Sequence, residues 1–284
     1  MADELLETIP EFRKDTDVKP QDEGFMDWTA LTHVPTARNR REFLIIVGVA
    51  VVVVATIELL IRAFQVPNYV LPAPSSIFNA LVNNFETLLP HIGVTLQELV
   101  GGYLIGATIG ILLAGVVTQV PLVEKIITPY IILLVTTPML ALVPLLVLRL
   151  GFGLEPRIVA VALAVGPMVM INSATGFRRT DLAKIALARS YGANTLQIFY
   201  KIRFPIALPM IIVGLMVGGI FGLLTAVGAE MVGGGAGLGN RLVYYSSLAR
   251  MEAFFATILI IALIGITMYV IFFLIGKKWA SWEA

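Results

Sequence analysis

Long apolar runs separated by short polar joints organise this chain. A helix that crosses a bilayer needs about 20 mainly apolar residues. Six stretches meet that length, near 43–64, 94–118, 123–148, 158–176, 206–229 and 254–275. The third run contains Pro129, Pro138 and Pro144, and the fourth contains Pro167. Proline donates no hydrogen bond and crowds the carbonyl four residues back. These two helices are therefore predicted to be kinked and to face protein or water rather than lipid. The pattern predicts an all-α integral membrane protein with six transmembrane helices over residues 43–276. A polar tail, 1–42, precedes them and a short tail, 277–284, follows.

One stretch interrupts the apolar pattern. Residues 177–205 form a polar, basic loop, and from Asp181 to Pro209 four bases stand against one acid. Leu182, Ile185, Ala186, Leu196, Phe199 and Tyr200 recur at helical rather than strand spacing. Gly192 breaks the run. Asn194 and Thr195 can cap a second short helix, and Gln197 lies three residues after Asn194, a polar version of the capping box. Pro205 and Pro209 mark the entry to the next apolar run. The local expectation is helix, glycine turn, short helix and proline exit, lying in water.

Composition agrees with the membrane reading. The chain is 58% hydrophobic and 14% charged, with a mean hydropathy of +0.89, whereas soluble domains carry about 25% charged residues. Cysteine is absent, which excludes disulfides, thiolate metal sites and a cysteine nucleophile. The net charge of +1 gives no reason to expect a nucleic acid partner. The placement of Lys and Arg is more informative. With the N-terminus inside, fifteen of them fall on the inner side, in the N-terminal tail, at Lys125, in the central loop and at Lys277 and Lys278. Five remain outside, at Arg62, Arg149, Arg157, Arg241 and Arg250. That asymmetry predicts both termini and the central loop in the cytoplasm. The first apolar run comes too late and is too long for a signal peptide, so it is expected to be an uncleaved span. Phe25 to Trp28 could begin an interfacial helix or belong to a plain flexible tail.

Two spans carry glycine at every fourth residue, Gly102, Gly106 and Gly110 in one and Gly214, Gly218 and Gly222 in the other. Such stripes allow close helix approach, expected here within one subunit in preference to a subunit interface. The run Gly233 to Gly239 lacks the Gly-Lys-Ser/Thr of a phosphate loop and follows no strand, so it reads as an outer turn. His33 and His91 have no spaced partner ligands, so no metal site is expected, and no motif for nucleophilic or metal-dependent hydrolysis suggests an enzyme or a cofactor. Charged and polar groups within spans are functional candidates by default. Glu58 and Arg62, four apart, are expected to pair with each other. Glu98 is expected to be wet at the outer end of its span. Pro138, Pro144, Arg149, Asn172 and Glu230 are candidates for the pathway, Arg149 serving either as an anion attractor or as a headgroup anchor.

The central loop resembles the EAA loop of ATP-binding-cassette (ABC) importer permeases of the type I fold. The shared features are Gly192, nine intervening residues, and Ile202-Arg203-Phe204-Pro205. The family's opening Glu-Ala-Ala stands here as Ala186-Leu187-Ala188, without the glutamate. Ile57-Glu58-Leu59-Leu60, Leu71-Pro72-Ala73-Pro74-Ser75, Thr137 to Leu145 with Gly151-Phe152-Gly153, Ala229-Glu230 and Gly237-Leu238-Gly239 extend the resemblance over residues 55–275, toward the nitrate, sulfonate and taurine branch. It implies a bacterial inner-membrane subunit that forms a translocation path as a homodimer. It also implies a separate cytoplasmic ABC ATPase, a periplasmic or lipid-anchored substrate-binding protein, surrounding lipid, and a small anion as substrate. Ala186, Ala188, Gly192, Ala193, Asn194, Phe199, Ile202 and Pro205 are the implied ATPase-coupling residues, with Phe199 and Tyr200 as anchors on the partner and Leu187 packing on the permease side. An ion-gradient transporter or channel is the alternative, and it would need a relay of buried carboxylates.

Overall fold

The computed structural model describes residues 40–279. Most of the polar N-terminal tail, including Phe25 to Trp28 and His33, lies outside the described residues, as does the end of the C-terminal tail. The described residues are helical, with no strand. In chain order the helices are α1 (Arg40–Ala63), α2 (Pro74–Val117), α3 (Pro121–Thr136), α4 (Met139–Leu150), α5 (Glu155–Arg178), α6 (Leu182–Ser190), α7 (Thr195–Ile198), α8 (Phe204–Gly233), α9 (Leu238–Ser247) and α10 (Met251–Trp279). Five helices are long and apolar enough to span a membrane, and α3 with α4 makes a sixth if the bent pair is one span.

Helix α2 starts about twenty residues before its apolar run. Pro74 stands in its first turn, where a missing N–H costs nothing. Ile77, Leu81, Phe85 and Leu88 then keep helical spacing while Asn83, Asn84 and Glu86 lower the hydropathy. At about 1.5 Å per residue the 44-residue helix is ~66 Å long, well over the ~30 Å of a hydrocarbon core. Its first turns must therefore project beyond the hydrocarbon.

The core is a sandwich of α2, α5 and α8, and both glycine stripes grip α5. A Cβ on Gly102, Gly106 or Gly110 would lie 2.5–2.6 Å from the carbonyls of Ile158, Ala162 and Gly166 respectively. The second stripe packs against the same row of α5, Val161, Val165 and Val169. A Cβ on Gly214 would lie 2.8 Å from Asn172 Cβ, and one on Gly218 or Gly222 2.9 Å from a methyl of Val169 or Val165. The stripes thus bring helix backbones together inside the subunit, as the spacing predicts. These contacts also fix direction, since α5 runs parallel to α2 and antiparallel to α8. Leu99, Tyr103, Val161, Val165 and Leu223 fill one half of the core, and Ala174, Phe177, Ala207 and Ile211 fill the half nearest α6.

The first helix is different. Ile61 is buried, whereas Phe43 to Val54 present their large side chains outward. The end of α1 is tied to the start of α2: Arg62 donates to Glu58 at 2.6 Å, and Glu58 also accepts from the Ser75 N–H at 3.0 Å and its hydroxyl at 2.7 Å. The Glu58–Arg62 pair expected from spacing is present, with Ser75 completing it.

Candidate functional site

The loop between α5 and α8 is built from three local signals. Asp181 accepts from the Ala183 N–H at 2.8 Å and caps α6. At the other end Ala193 N–H reaches the Ala188 carbonyl at 3.1 Å and Gly192 N–H reaches the Arg189 carbonyl at 2.9 Å. This is the Schellman pattern, which needs a left-handed residue, and Gly192 supplies it at φ +80°. Asn194 and Gln197 then form a reciprocal capping box, with bonds of 2.8 and 2.9 Å. Helix α7 is four residues long and runs through a π-helical turn, Phe199–Arg203, directly into α8. Pro205 sits half-buried in the first turn of α8. Helix, glycine turn and short helix are as expected; the continuous passage into α8 was not visible in the sequence.

The loop has an inner and an outer face. Ile185 and Ile198 are buried, and Ala188, Ala193 and Ile202 are half-buried. Phe199 also turns inward. Its ring lies 5.0 Å from that of Phe177, against Gly115 of α2. It is therefore part of the permease core rather than the outward anchor expected of it. Its size alone suggested an anchor, whereas its place directly after buried Ile198 and beside Phe177 sets it on the inner face. Leu187, expected to pack inward, is exposed with Ala186. The large outward groups are Leu182, Leu187, Tyr191 (84% exposed), Leu196 (66% exposed) and Tyr200.

The second candidate region is the break between α3 and α4, where the axis turns by 99°. Pro138 has no N–H, so the Leu134 carbonyl loses its partner four residues on. The last bond of α3 runs from Thr137 N–H to Leu133 at 3.0 Å, and the next begins at Ala141 N–H to Pro138 at 2.9 Å. The expected kink is in fact a full interruption of the helix. A cavity of about 320 Å³ opens beside it, lined by Thr136, Thr137 and Pro138, by Pro167 of α5, and by Phe221, Leu224 and Thr225 of α8. No lining side chain is charged. Of the pathway candidates Pro138 lines this cavity. Pro144 and Arg149 are exposed on α4, and half-buried Asn172 donates to the Met168 carbonyl at 2.8 Å.

Glu230 and the glycine run belong to a third place, at the opposite end of the bundle. Gly234, Gly235 and Gly237 all have positive φ, in keeping with a turn. Arg157, at the start of α5, donates to Glu98 at 2.5 Å, to the Ala236 carbonyl at 2.9 Å, and to the Gly234 carbonyl. Glu230 accepts from the Thr95 hydroxyl and the Gly239 N–H, both at 2.6 Å. Thr95 in turn accepts from Leu238 N–H at 2.9 Å. His91 Nδ1 lies 3.0 Å from Gly237 N, and its Nε2 lies 2.7 Å from Arg241 Nε. A neutral imidazole accepts at only one of its nitrogens. Glu98 is fully buried rather than wet, and Arg157 is 4% exposed rather than a surface charge. The sequence does not reveal this cluster because its side chains pair across 59 to 150 positions. The one signal was charge bordering apolar runs. Among the described residues no group of three potential metal ligands is brought together.

Apolar spanning helices around a glycine-gripped core, a broken span beside a cavity, and a capped polar loop are the parts of a membrane transport subunit. The sequence comparison makes that class specific. The chain belongs to the family of binding-protein-dependent transport system inner membrane components, whose model matches residues 106–281. It is 28% identical to the riboflavin transport system permease protein RibX of Chloroflexus aurantiacus, over 77% of this chain and 82% of the relative. It is also 28% identical to the taurine transport system permease protein TauC of Escherichia coli, over 75% of this chain and 78% of that one. In fold it is similar to a chain of the MetNI methionine ABC transporter in an inward-facing conformation, with a TM-score of 0.56 at 17% identity over 72% of this chain and 94% of that one. It is thus a multi-pass inner-membrane permease subunit of an ABC importer.

Proposed function

We propose that two copies of this subunit enclose the translocation path, and that residues 182–203 couple it to a separate ABC ATPase on the cytoplasmic side. The observation that carries this reading is the two-faced loop. Its inner face is rooted in the core through Ile185, Ile198 and Phe199, while Leu187, Tyr191, Leu196 and Tyr200 stand outward on a capped frame. Exposed aromatic and aliphatic groups on a stiff support suit a docking surface, where a few anchors dominate the interface energy. Rooting in the core lets a movement of the partner reach α5 and α8. The lysine and arginine distribution supports placing this loop and both termini inside. A periplasmic or lipid-anchored binding protein then delivers substrate at the opposite face, where the glycine turn and α9 lie. The outward side chains of α1 face lipid or the second copy.

For the substrate, the likeness to TauC favours a small anion such as a sulfonate, taurine or nitrate. A second reading rests on the cavity at the break, which offers threonine hydroxyls, free carbonyls and apolar walls but no cation. That lining suits a neutral ring compound that donates hydrogen bonds, and RibX is a relative named for such a molecule. The test is uptake into vesicles holding the subunit, its ATPase and its binding protein. The importer reading expects uptake that needs internal-side ATP and persists when ion gradients are collapsed. Gradient-driven uptake without ATP would refute it. Competition by taurine or by riboflavin separates the two substrate readings. A single cysteine at Asn194 should be labelled by an impermeant reagent only from the inside, since the chain has no other cysteine.

A further inference from the structure

Two carboxylates are buried together where one arginine is at hand. Glu98 on α2 and Glu230 on α8 are both fully buried, and Thr95, one turn before Glu98 on the same helix, donates to Glu230. The other titratable or charged groups of this cluster are His91 from α2, Arg157 from α5 and Arg241 from α9. The buried residues of α10 are uncharged. Arg241 is engaged with His91 and lies over the Tyr244 ring, so Arg157 is the cation that touches a carboxylate.

All but one of the four carboxylate oxygens have a donor. Both oxygens of Glu230 accept, from Thr95 and from Gly239 N–H, and Glu98 Oε1 accepts from Arg157. Glu98 Oε2 is buried and meets no donor. The neighbouring carboxylate of the cluster, Glu230, can only accept when ionised. Two ionised carboxylates in contact repel strongly away from water, and a single guanidinium neutralises only one of them.

We propose that Glu98 Oε2 carries a proton and donates it to Glu230, making a built-in proton site of one carboxylic acid, one carboxylate and one guanidinium with no net charge. The hydrogen bond ties α2 directly to α8. It lies under the glycine turn, because Arg157 also holds the Gly234 and Ala236 carbonyls and Glu230 holds Gly239. Loss of the proton would place like charges at this joint and loosen the turn and α9 from α2.

Glutamine separates this arrangement from an ordinary buried ion pair. In Glu98→Gln the amide oxygen can accept from Arg157 and the NH₂ can donate to Glu230, repeating the pattern of the protonated acid. In Glu230→Gln an NH₂ must face either the Gly239 N–H or Thr95. The transporter complex in lipid nanodiscs should show, at neutral pH, the infrared carbonyl stretch of a buried carboxylic acid, and Glu98→Gln should remove it. Glu98→Gln should melt within about 2 °C of the natural subunit, and Glu98→Ala and Glu230→Gln about 5 °C or more below it. Absence of a Glu98-dependent acid band overturns the proposal. So does a Glu98→Gln variant that melts as low as Glu98→Ala, which would mean that Glu98 is needed as an anion.

Discussion

The two ends of this bundle solve opposite problems with similar local chemistry. At the end that holds the glycine turn, Arg157, Glu230, Thr95 and His91 bond inward to the backbone of the turn and the start of α9, and Glu98 holds Arg157. At the other end the polar caps bond only within the loop, and five large apolar or aromatic side chains stand in the open. Both ends use positive-φ glycine, at Gly237 in one and Gly192 in the other. The sites nevertheless differ in steric freedom. A side chain at Gly237 would run into the Glu230 carboxylate, whereas nothing lies within 4 Å of a Cβ on Gly192. One end is closed on itself, and the other is the proposed docking surface.

This contrast can be broken in graded steps, and the largest effect should come from the core between the ends. Gly106→Leu places a branched side chain where even a Cβ lies 2.6 Å from the Ala162 carbonyl. It should separate α2 from α5 and abolish recovery of monodisperse subunit from membranes, read by size-exclusion chromatography. Next comes the closed end. Arg157→Leu leaves Glu98 and the carbonyls of Gly234 and Ala236 without their donor. Breaking a buried pair in this way costs roughly 3–5 kcal/mol, so thermal unfolding should start many degrees lower. ATPase binding per folded subunit should be nearly unchanged.

The open end should behave in reverse. Tyr191→Ser combined with Leu196→Ser should weaken ATPase binding by about 30-fold, the scale of a lost hot spot of about 2 kcal/mol, with no fall in melting temperature. Phe199→Ala removes an aromatic contact from the core and should lower stability instead, which separates it from the outward pair. Smallest of all, Asn194→Ala removes one cap, worth about 1 kcal/mol locally. It should raise hydrogen exchange across residues 195–198 and reduce coupled uptake only modestly.

Much of the open end could be read in the sequence, because Asp181, Gly192, Asn194 and Gln197 act on neighbours within a few residues. The glycine stripes were legible for a similar reason, since spacing of four lays residues on one helix face. Phe199 was misplaced because size marks an anchor but does not tell which face of a short helix a ring takes. The span 123–148 was seen as kinked, but spacing alone does not distinguish a bend from the interruption at Pro138. The closed end was hidden, since Glu98, Arg157 and Glu230 meet only after α2, α5 and α8 have packed. Charge counting placed Arg157 on the outer side without bearing on its burial, and a buried guanidinium becomes evident only with its carboxylate and two carbonyls in view.

On the proposed reading, docking and stability reside at opposite ends of the same core. The direct measurement is the dissociation constant of the purified cognate ATPase from the nanodisc-embedded subunit, taken alongside the melting temperature. It should be made on Tyr191→Ser with Leu196→Ser and, separately, on Arg157→Leu. The prediction is a large rise in dissociation constant with unchanged melting for the first, and lower melting with an unchanged dissociation constant for the second. ATPase binding of natural strength by the Tyr191/Leu196 variant would contradict it.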